Sequence, residues 1–263
     1  MTGVAISVVI PVRDGERFIG GALDSVSGQL APPIEIIVID DGSTDRTGEI
    51  VRGLQASVPL RYHRQDNQGP SAARNHGVSI ARGEWIAFLD ADDLWLPDHL
   101  ATHAENMRVR PDVALFSSKM DYIDDTGQPR PPIDWNDVLT PLLVDRSIPL
   151  LPSTITMRTD VLVASGGFDP RIRHFEDFEL CARIARVHPV HSIDRTTVRY
   201  RTHGQQLHRD REHRAQGWPL LFRALMDLWK DSPEKQAILT ERATAVFTDL
   251  GISVPRPGAI GDT

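Results

Sequence analysis

Three carboxylates, Asp90, Asp92 and Asp93, follow directly after the apolar run WIAFL. Carboxylates this close in sequence resist joint ionisation unless a cation lies between them, and the hard ions Mg²⁺ and Mn²⁺ prefer oxygen ligands. The spacing therefore indicates either a metal site or an acidic loop in which Asp93 or Asp98 caps a helix that begins near Pro97. A position at the end of a buried strand favours the metal site.

A second acidic pair, Asp40 and Asp41, follows the apolar run IEIIVI. The residues after it, Ser43 to Asp45, are typical of a cap on the next helix, but capping does not explain the pair itself. In open α/β sheets, ligands bind beyond the carboxyl ends of the strands, where a carboxylate can accept from a ribose hydroxyl or a base N–H. We interpret the pair as nucleotide-facing, with a purely structural role as the alternative.

The loops that usually bind phosphates do not occur in the sequence. The first turn reads PVRDGERFIGG, without the spacing of G-x-G-x-x-G, and G-x-x-x-x-G-K-[ST] is absent. A diphosphate therefore needs another source of positive charge, for which a metal at the three-carboxylate segment is the natural candidate. The formal net charge of -7, with arginines scattered along the chain, excludes a general nucleic-acid binder.

Asp177 lies in the segment HFEDFELCARIARV, which has helical periodicity. One sector of this helix carries the other charged residues, Glu176, Glu179, Arg183 and Arg186. Asp177 instead projects between Cys181 and Ile184, towards the protein or its cleft. A buried carboxylate without a helical partner is costly, so a functional role is favoured over a capping role in the first turn. The helix dipole there would keep the carboxylate ionised, as a general base requires.

Strand-like segments alternate with helical ones through most of the chain, which predicts right-handed crossovers and a mainly parallel sheet flanked by helices. The predicted strands span residues 4–10, 34–40, 60–63, 84–90, 113–118 and 191–201, with helices over 18–26, 44–55 and 175–187. Residues 119–149, rich in Asp and Pro, are predicted as a long loop over the sheet. Within 153–169 we expect a further strand and a short helix.

The chain turns basic beyond about His208 and then strongly amphipathic in WPLLFRALMDLW. We predict a main domain over 1–207 and a helical extension over 208–263. Its apolar face is expected to pack on the main domain or on a second copy in a homodimer. Contact with a membrane surface is the alternative, but it is less favoured because the polar face of the helix has few basic residues. No run approaches ~18 apolar residues, and the single Cys181 excludes an internal disulfide. We expect a cytoplasmic protein, with peripheral contact at the inner membrane face left open.

Six segments together resemble the large inverting glycosyltransferase family 2. They are, in order, SVVIPVRD, IIVIDDGSTD, NQGPSAARNHGVSIARGEWIAFLDADD, GGFD, EDFEL and YRTHG. The resemblance covers residues 4 to about 206 and implies a GT-A fold, a Rossmann-like α/β architecture. Singly only DADD in its context is distinctive, whereas six segments in this order are highly specific.

The resemblance implies roles for particular residues. The nucleotide-sugar pocket would comprise Pro11, Val12, Arg13, Asp14, Asp41, Arg74, Asp90 and Ala91. Within it Asp41 would accept from the base, Asp90 would touch the ribose, and Arg74 would lie near the diphosphate. Mn²⁺ or Mg²⁺ would be bound by Asp92, Asp93 and His203. Asp177 takes the place of the catalytic base.

Two of these roles rest on the resemblance more than on the residues. By sequence position alone, Arg74 and His203 are typical of solvated surface residues. The chain also departs from the family where an aromatic residue and Asn commonly follow the Pro-x pair, because it has Arg13 and Asp14 there. The guanidinium of Arg13 could stack on a base.

The implied reaction is transfer of a sugar from a nucleoside-diphosphate sugar, expected to be UDP-linked, to the hydroxyl of a carbohydrate or lipid-linked acceptor, with inversion. Cell-surface polysaccharide or glycoconjugate synthesis is the expected setting. A sugar-phosphate nucleotidyltransferase is one alternative, but it would want a Gly-rich basic loop after the first strand. A non-catalytic nucleotide-sugar or carbohydrate binding module is another, and it would have no need for a buried base at Asp177.

Overall fold

One sheet runs through the centre of the molecule. The computed structural model describes residues 3–132, 151–172, 175–204 and 211–253. The strands are β1 (Ile6–Val12), β2 (Glu35–Asp40), β3 (Leu60–Arg64), β4 (Trp85–Phe88), β5 (Leu94–Trp95), β6 (Leu115–Ile123), β7 (Pro129–Arg130), β8 (Ile155–Arg158) and β9 (Val190–Arg201). Their order in the sheet is β3-β2-β1-β4-β8-β6-β9-β5, with β7 paired to β6 outside this path.

The half of the sheet formed by β3, β2, β1 and β4 is entirely parallel. Every residue of β1 and β2 is buried, which explains why both segments are continuously apolar rather than alternating. Because parallel strands end at one edge, this edge collects residues 13–18, 41–46 and 89–93. The predicted α/β class and its parallel strands are confirmed.

The other half of the sheet is mixed. β8 is antiparallel to β4 and β6, whereas β9 is parallel to β6 and antiparallel to β5. The prediction that β6 ends at Ser118 is wrong, because its backbone pairs with β9 as far as Ile123, which lies opposite Arg201. The start of the predicted loop over 119–149 is therefore a strand and a hairpin with β7. The rest of that loop, from residue 133 onwards, lies outside the described residues.

The helices are α1 (Ile19–Ser27), α2 (Thr47–Gly53), α3 (Pro70–Ile80), α4 (His99–Val109), α5 (Thr159–Ala164), α6 (Glu176–Ala185), α7 (Arg211–Leu228) and α8 (Pro233–Leu250). Two of them begin later than predicted. The backbone N–H of Thr44 donates to Asp14 instead of entering α2, and the Pro97 carbonyl accepts from Leu30 just before α4.

The C-terminal helices pack against the sheet-bearing part of the chain. In α7, Trp218 and Phe222 are buried, with Trp218 in edge contact with Phe175 before α6 and Phe222 in edge contact with Phe247 of α8. The part of the apolar face that carries Trp218 and Phe222 is thus covered by the chain's own residues, whereas Leu220 is 39% exposed. Nowhere in the described ranges does a helix have the length and apolar character needed to cross a membrane.

Candidate active site

Asp41 lies at the carboxyl edge of the parallel strands and is only 4% exposed. Its carboxylate accepts from the backbone N–H groups of Gln68 at 2.9 Å and Gly69 at 2.7 Å, and from the side-chain amide of Gln65 at 2.8 Å. The φ of 89° at Gly69 lies in the region that favours glycine. Asp41 therefore holds the loop before α3 at the edge where the nucleotide base was expected.

Asp40, its neighbour, has a structural role, so the nucleotide-facing interpretation is wrong for this residue. It is fully buried and accepts from the backbone N–H of Ser43 at 2.7 Å and the hydroxyl of Tyr62 at 2.5 Å. Of the residues predicted to cap α2, Asp45 accepts from the backbone N–H of Thr47, the first residue of the helix, at 2.9 Å, although it lies one position before the N-cap Arg46.

Arg74 is buried at the centre of the site, contrary to the surface position that its sequence context suggested. Its guanidinium donates to Asp90 and to Glu176 at 2.8 Å each, and its face lies over the ring of Phe168. Burial alone would lower the pKa of Arg74, but the two carboxylates outweigh it and raise that pKa. A permanently charged guanidinium thus joins the segment after β4 to the start of α6.

Asp177 is the second residue of α6 and is 7% exposed, as the helical projection predicted. One carboxylate oxygen accepts from the backbone N–H of Phe178 at 2.8 Å. Burial, and then the charge of Glu176, raise the pKa of Asp177 to about 8, against the lowering effect of Arg74. The prediction that the helix dipole keeps this carboxylate ionised is therefore wrong near neutral pH, where the neutral form prevails, but the ionised form is a stronger base than an ordinary aspartate.

Asp92 and His203 meet at the same edge although they lie 111 positions apart. The imidazole Nε2 of His203 lies 2.9 Å from the Asp92 carboxylate, and the backbone carbonyl of Asp92 accepts from the guanidinium of Arg201 at 2.7 Å. Both side chains are partly accessible to solvent. The site therefore presents one oxygen and one nitrogen donor side by side.

Both carboxylate oxygens of Asp93 accept hydrogen bonds from groups inside the protein. Asp93 is 1% exposed, and its two carboxylate oxygens accept from the Ser153 hydroxyl at 2.6 Å and the Arg201 backbone N–H at 2.8 Å. Burial, followed by the charges of Asp92 and Asp90, raises the pKa of Asp93 well above its ordinary value. These contacts give Asp93 a role in fastening the segment to β9, and they do not favour its predicted role as a metal ligand.

The donor set suits a hard divalent cation that completes its shell with substrate. Within the residues that the structure describes, no three His, Cys, Asp or Glu side chains form a ready metal position. Mg²⁺ in nucleotide-dependent enzymes is typically held by one or two carboxylates together with substrate phosphates, and here Asp92 supplies the carboxylate. Asp92 and His203 would hold the ion.

The loop after β1 is tied to the loop after β2 by reciprocal hydrogen bonds. Asp14, at a left-handed φ of 48°, accepts from the backbone and hydroxyl of Thr44, and its N–H donates to Ser43 at 2.9 Å. Arg13 is half exposed beside it, 3.7 Å from the Asp14 carboxylate. The contacts of Asp14 fix the loop, and Arg13 remains available to a ligand at this edge.

The remaining predicted residues lie around this edge. Pro11 and Val12 end the buried strand β1, and Ala91 is partly buried between Asp90 and Asp92. Sequence reasoning missed Glu176, which it assigned to the sector away from Asp177, and Arg201, which it did not consider. Both could have been found from their positions, since Glu176 precedes Asp177 and Arg201 lies two positions before His203. An argument from helical periodicity does not take such proximity into account.

A mixed α/β sheet whose parallel edge carries the carboxylates Asp90, Asp92 and Asp93, a buried arginine and a deeply placed aspartate has the architecture of a transferase of the GT-A type. The model of the family "Glycosyl transferase family 2" matches residues 7–162, which is more than half of the chain. The chain therefore belongs to glycosyl transferase family 2, a family of transferase enzymes.

Curated relatives are also glycosyltransferases by name. An uncharacterised glycosyltransferase of Nostoc sp. is 31% identical over 214 residues, which cover 77% of this chain and 66% of that protein. An uncharacterised glycosyltransferase of Rickettsia felis is 31% identical over 202 residues, covering 76% of this chain and 33% of that protein. The chain thus spans less than two thirds of these relatives' length.

Solved structures share the fold. TarS of S. aureus in complex with UDP-GlcNAc is 21% identical with a TM-score of 0.73, covering 93% of this chain and 73% of TarS. The mannosyltransferase PcManGT of Pyrobaculum calidifontis, in complex with GDP-Man and Mn²⁺, is 20% identical with a TM-score of 0.72, covering 100% of this chain and 77% of PcManGT. These likenesses confirm the GT-A fold.

Proposed function

We propose that the protein is an inverting, metal-dependent glycosyltransferase that moves a sugar from a nucleoside-diphosphate sugar to an acceptor hydroxyl. The observation that carries the proposal is the pair of 2.8 Å ion pairs from Arg74, one to Asp90 and one to Glu176. They bring the segment expected to bind the donor together with the helix turn that bears Asp177. A buried base beside a nucleotide site is what direct displacement by a hydroxyl requires.

Asp177 would act as the general base. Its carboxylate would take the proton of the acceptor hydroxyl, whose oxygen forms the new bond to the anomeric carbon while the bond to the nucleoside diphosphate breaks on the opposite face. One displacement of this kind inverts the anomeric centre and needs no covalent nucleophile. Arg74, fixed between two carboxylates, would stay charged throughout and offset negative charge near the diphosphate.

Asp92 and His203 would hold Mn²⁺ or Mg²⁺. A bound ion of this kind supplies Lewis-acid stabilisation of the negative charge on a leaving diphosphate. Asp93, through Ser153 and the backbone of Arg201, would keep Asp92 at the end of β9. That assignment makes Asp93 a positioning residue rather than a ligand.

The donor pocket would lie along the edge formed by the loops after β1, β2 and β4. Asp90 would contact the ribose, and Asp41 would accept from the base. The wall around the base would be formed by Pro11, Val12, Arg13, Asp14 and Ala91. A UDP-linked donor is our first expectation; TarS was solved with UDP-GlcNAc and PcManGT with GDP-Man, so both bases belong in the test.

We further propose a carbohydrate or lipid-linked acceptor, in the synthesis of cell-surface polysaccharide or glycoconjugates at the cytoplasmic side of the membrane. The hairpin of β6 and β7 and the helices within 208–263 would border the acceptor side. We also propose that the main domain ends at residue 207 and that the helical extension beyond it forms a homodimer contact. A nucleotidyltransferase or a binding module is less well supported, because neither needs a deeply buried aspartate like Asp177.

A thermal-shift panel tests the donor class. The chain would be heated with UDP, GDP and dTDP sugars, each with Mn²⁺ and with chelator, and stabilisation by one nucleotide only with Mn²⁺ is expected. The donor so found would then be incubated with acceptor glycans, and released nucleoside diphosphate would be measured for wild type and Asp177→Asn. Stabilisation without turnover in both proteins would instead indicate a binding module.

A further inference from the structure

Phe18 lies at the entrance to α1, in a loop that the sheet edge holds firmly. Besides the bonds of Asp14, the backbone N–H of Gly15 donates to the Thr47 hydroxyl and that of Glu16 donates to Asp45, at 2.9 Å each. The Phe18 N–H itself closes the turn on the Gly15 carbonyl at 3.0 Å. The ring of Phe18 is therefore presented from a fixed backbone.

Within the described residues, one aromatic ring and two guanidinium groups lie against the Phe18 ring. The ring of His203 lies 5.1 Å away between centroids, and the guanidinium carbons of Arg17 and Arg201 each lie 4.9 Å from its centre. Cation–π contacts of this kind favour one arrangement of otherwise flexible arginines. Phe18 thus touches His203 and Arg201, two positions apart in sequence.

The two arginines on Phe18 both reach the turn between β6 and β7. Arg17 donates to the carboxylate of Asp125 at 2.7 Å, and Arg201 donates to the carbonyl of Asp124 at 3.0 Å. Arg201 also donates from its side chain to the Asp92 carbonyl. One aromatic ring therefore lies where the loop after β1, the hairpin turn, the carboxylate segment and the end of β9 converge.

We propose that Phe18 is a positioning residue for His203: its ring holds the imidazole against Asp92 and keeps Arg201 extended between the carboxylate segment and the hairpin turn. This inference rests on the proposed function, since it gives Phe18 a part in metal binding. A leucine at this position would keep apolar volume but lose the flat face that His203 and both guanidinium groups contact.

The test compares Phe18→Leu with Phe18→Tyr, which retains the ring face, and with Phe222→Leu, a buried phenylalanine of α7 remote in sequence from the site. Mn²⁺ affinity would be measured by titration calorimetry in the presence of UDP and, separately, GDP. We expect Phe18→Leu to weaken Mn²⁺ binding by roughly 10-fold, as loss of a ligand-orienting partner does. Phe18→Tyr and Phe222→Leu should bind Mn²⁺ as the wild type does.

Hydrogen exchange provides a readout that needs neither metal nor activity. The amides of Arg201 and Thr202, which donate to Asp93 and to the Ile123 carbonyl, should exchange faster in Phe18→Leu than in Phe222→Leu. Unchanged exchange of these amides, or unchanged Mn²⁺ affinity where the wild type binds Mn²⁺, would overturn the inference. A wild type that binds no Mn²⁺ would refute the proposed metal site and, with it, the part of Phe18 in metal binding; the exchange rates would still decide whether Phe18 holds the end of β9.

Discussion

Arg74 and Glu176 lie 102 positions apart in the chain and form an ion pair of 2.8 Å. Through the same guanidinium, Arg74 also binds Asp90. Glu176 therefore offsets part of the positive charge that would otherwise lower the pKa of its neighbour Asp177. The basicity of the proposed base is set by a balance between one buried cation and the carboxylates around it.

Asp177→Asn should abolish transfer while leaving donor binding largely intact. Asparagine matches the shape of the neutral carboxyl that the raised pKa favours, so the fold should tolerate it, but it cannot accept the proton. The expected loss in kcat is roughly 100- to 10,000-fold, the usual contribution of a general base. Released nucleoside diphosphate gives the rate and calorimetry gives the donor affinity. Wild-type turnover in this variant would refute the base assignment.

The pH dependence of kcat/KM should follow the ionisation of Asp177. The base acts in its deprotonated form and its pKa is raised to about 8, so kcat/KM should rise with pH and level off above that value. Glu176→Gln removes a neighbouring negative charge and frees Arg74 to act on Asp177, so the rise should move to lower pH. Glu105→Gln, on the exposed face of α4, is the matched control. A profile that Glu176→Gln leaves in place would contradict this electrostatic account.

Arg74→Met should destabilise the protein strongly. It removes the cation that Asp90 and Glu176 share and leaves two carboxylates poorly compensated, a change that costs roughly 3–5 kcal/mol. Denaturant unfolding would measure the loss. Arg171→Met is the control, because Arg171 is 84% exposed and its pair with Asp169 should contribute at most about 1 kcal/mol. Adding Glu176→Gln to Arg74→Met should restore part of the stability, because it removes one of the two uncompensated carboxylates. Equal losses of stability in Arg74→Met and Arg171→Met would contradict the assignment of Arg74 as a buried, paired cation.

Asp92→Ala should weaken nucleoside-diphosphate binding only when Mn²⁺ is present. The carboxylate is one of two proposed protein ligands, whereas binding without metal depends on the base and ribose contacts. Titration with UDP or GDP, with and without Mn²⁺, separates the metal-dependent part of the nucleotide affinity from the metal-independent part. Asp227→Asn, an exposed carboxylate of α7, serves as the control. If Asp92→Ala binds the nucleotide like the wild type in Mn²⁺, the ion is held elsewhere or not at all.

Most of the parallel half of the sheet could be predicted because β1, β2 and β4 are buried on both faces, unlike β3. β1, β2 and β4 therefore appear as uninterrupted apolar runs, and their carboxyl ends were found where expected. The end of β6 was missed because residues such as Lys119 and Asp121 are polar, and only the pairing with β9 makes them a strand. Such pairing joins distant parts of the chain, so local patterns do not report it.

The candidate site, like the fold, could be predicted only where a local sequence pattern was sufficient. Helical periodicity placed Asp177 in the interior, but it did not separate Asp177 from Glu179 of the charged sector, which is equally buried. Other features depend on contacts between segments far apart in sequence. They are the burial of Arg74, the internal hydrogen bonds of Asp93 and the contacts of Arg201 and His203 with Phe18. For these residues, composition and spacing indicated a surface arginine, a metal ligand and an ordinary apolar helix start.

The separation between β9 and the carboxylate segment has a consequence for the order of folding. β1 pairs with β2, and β2 with β3, between segments close in sequence, whereas Arg201 and His203 reach Asp93 and Asp92 from 108 and 111 positions away. Contacts of short loop length form first, because closing a longer loop costs more chain entropy. We therefore expect a folding chain to pair β1, β2 and β3 while Asp92 and Asp93 still lack their partners, so that ligand-binding competence is acquired last.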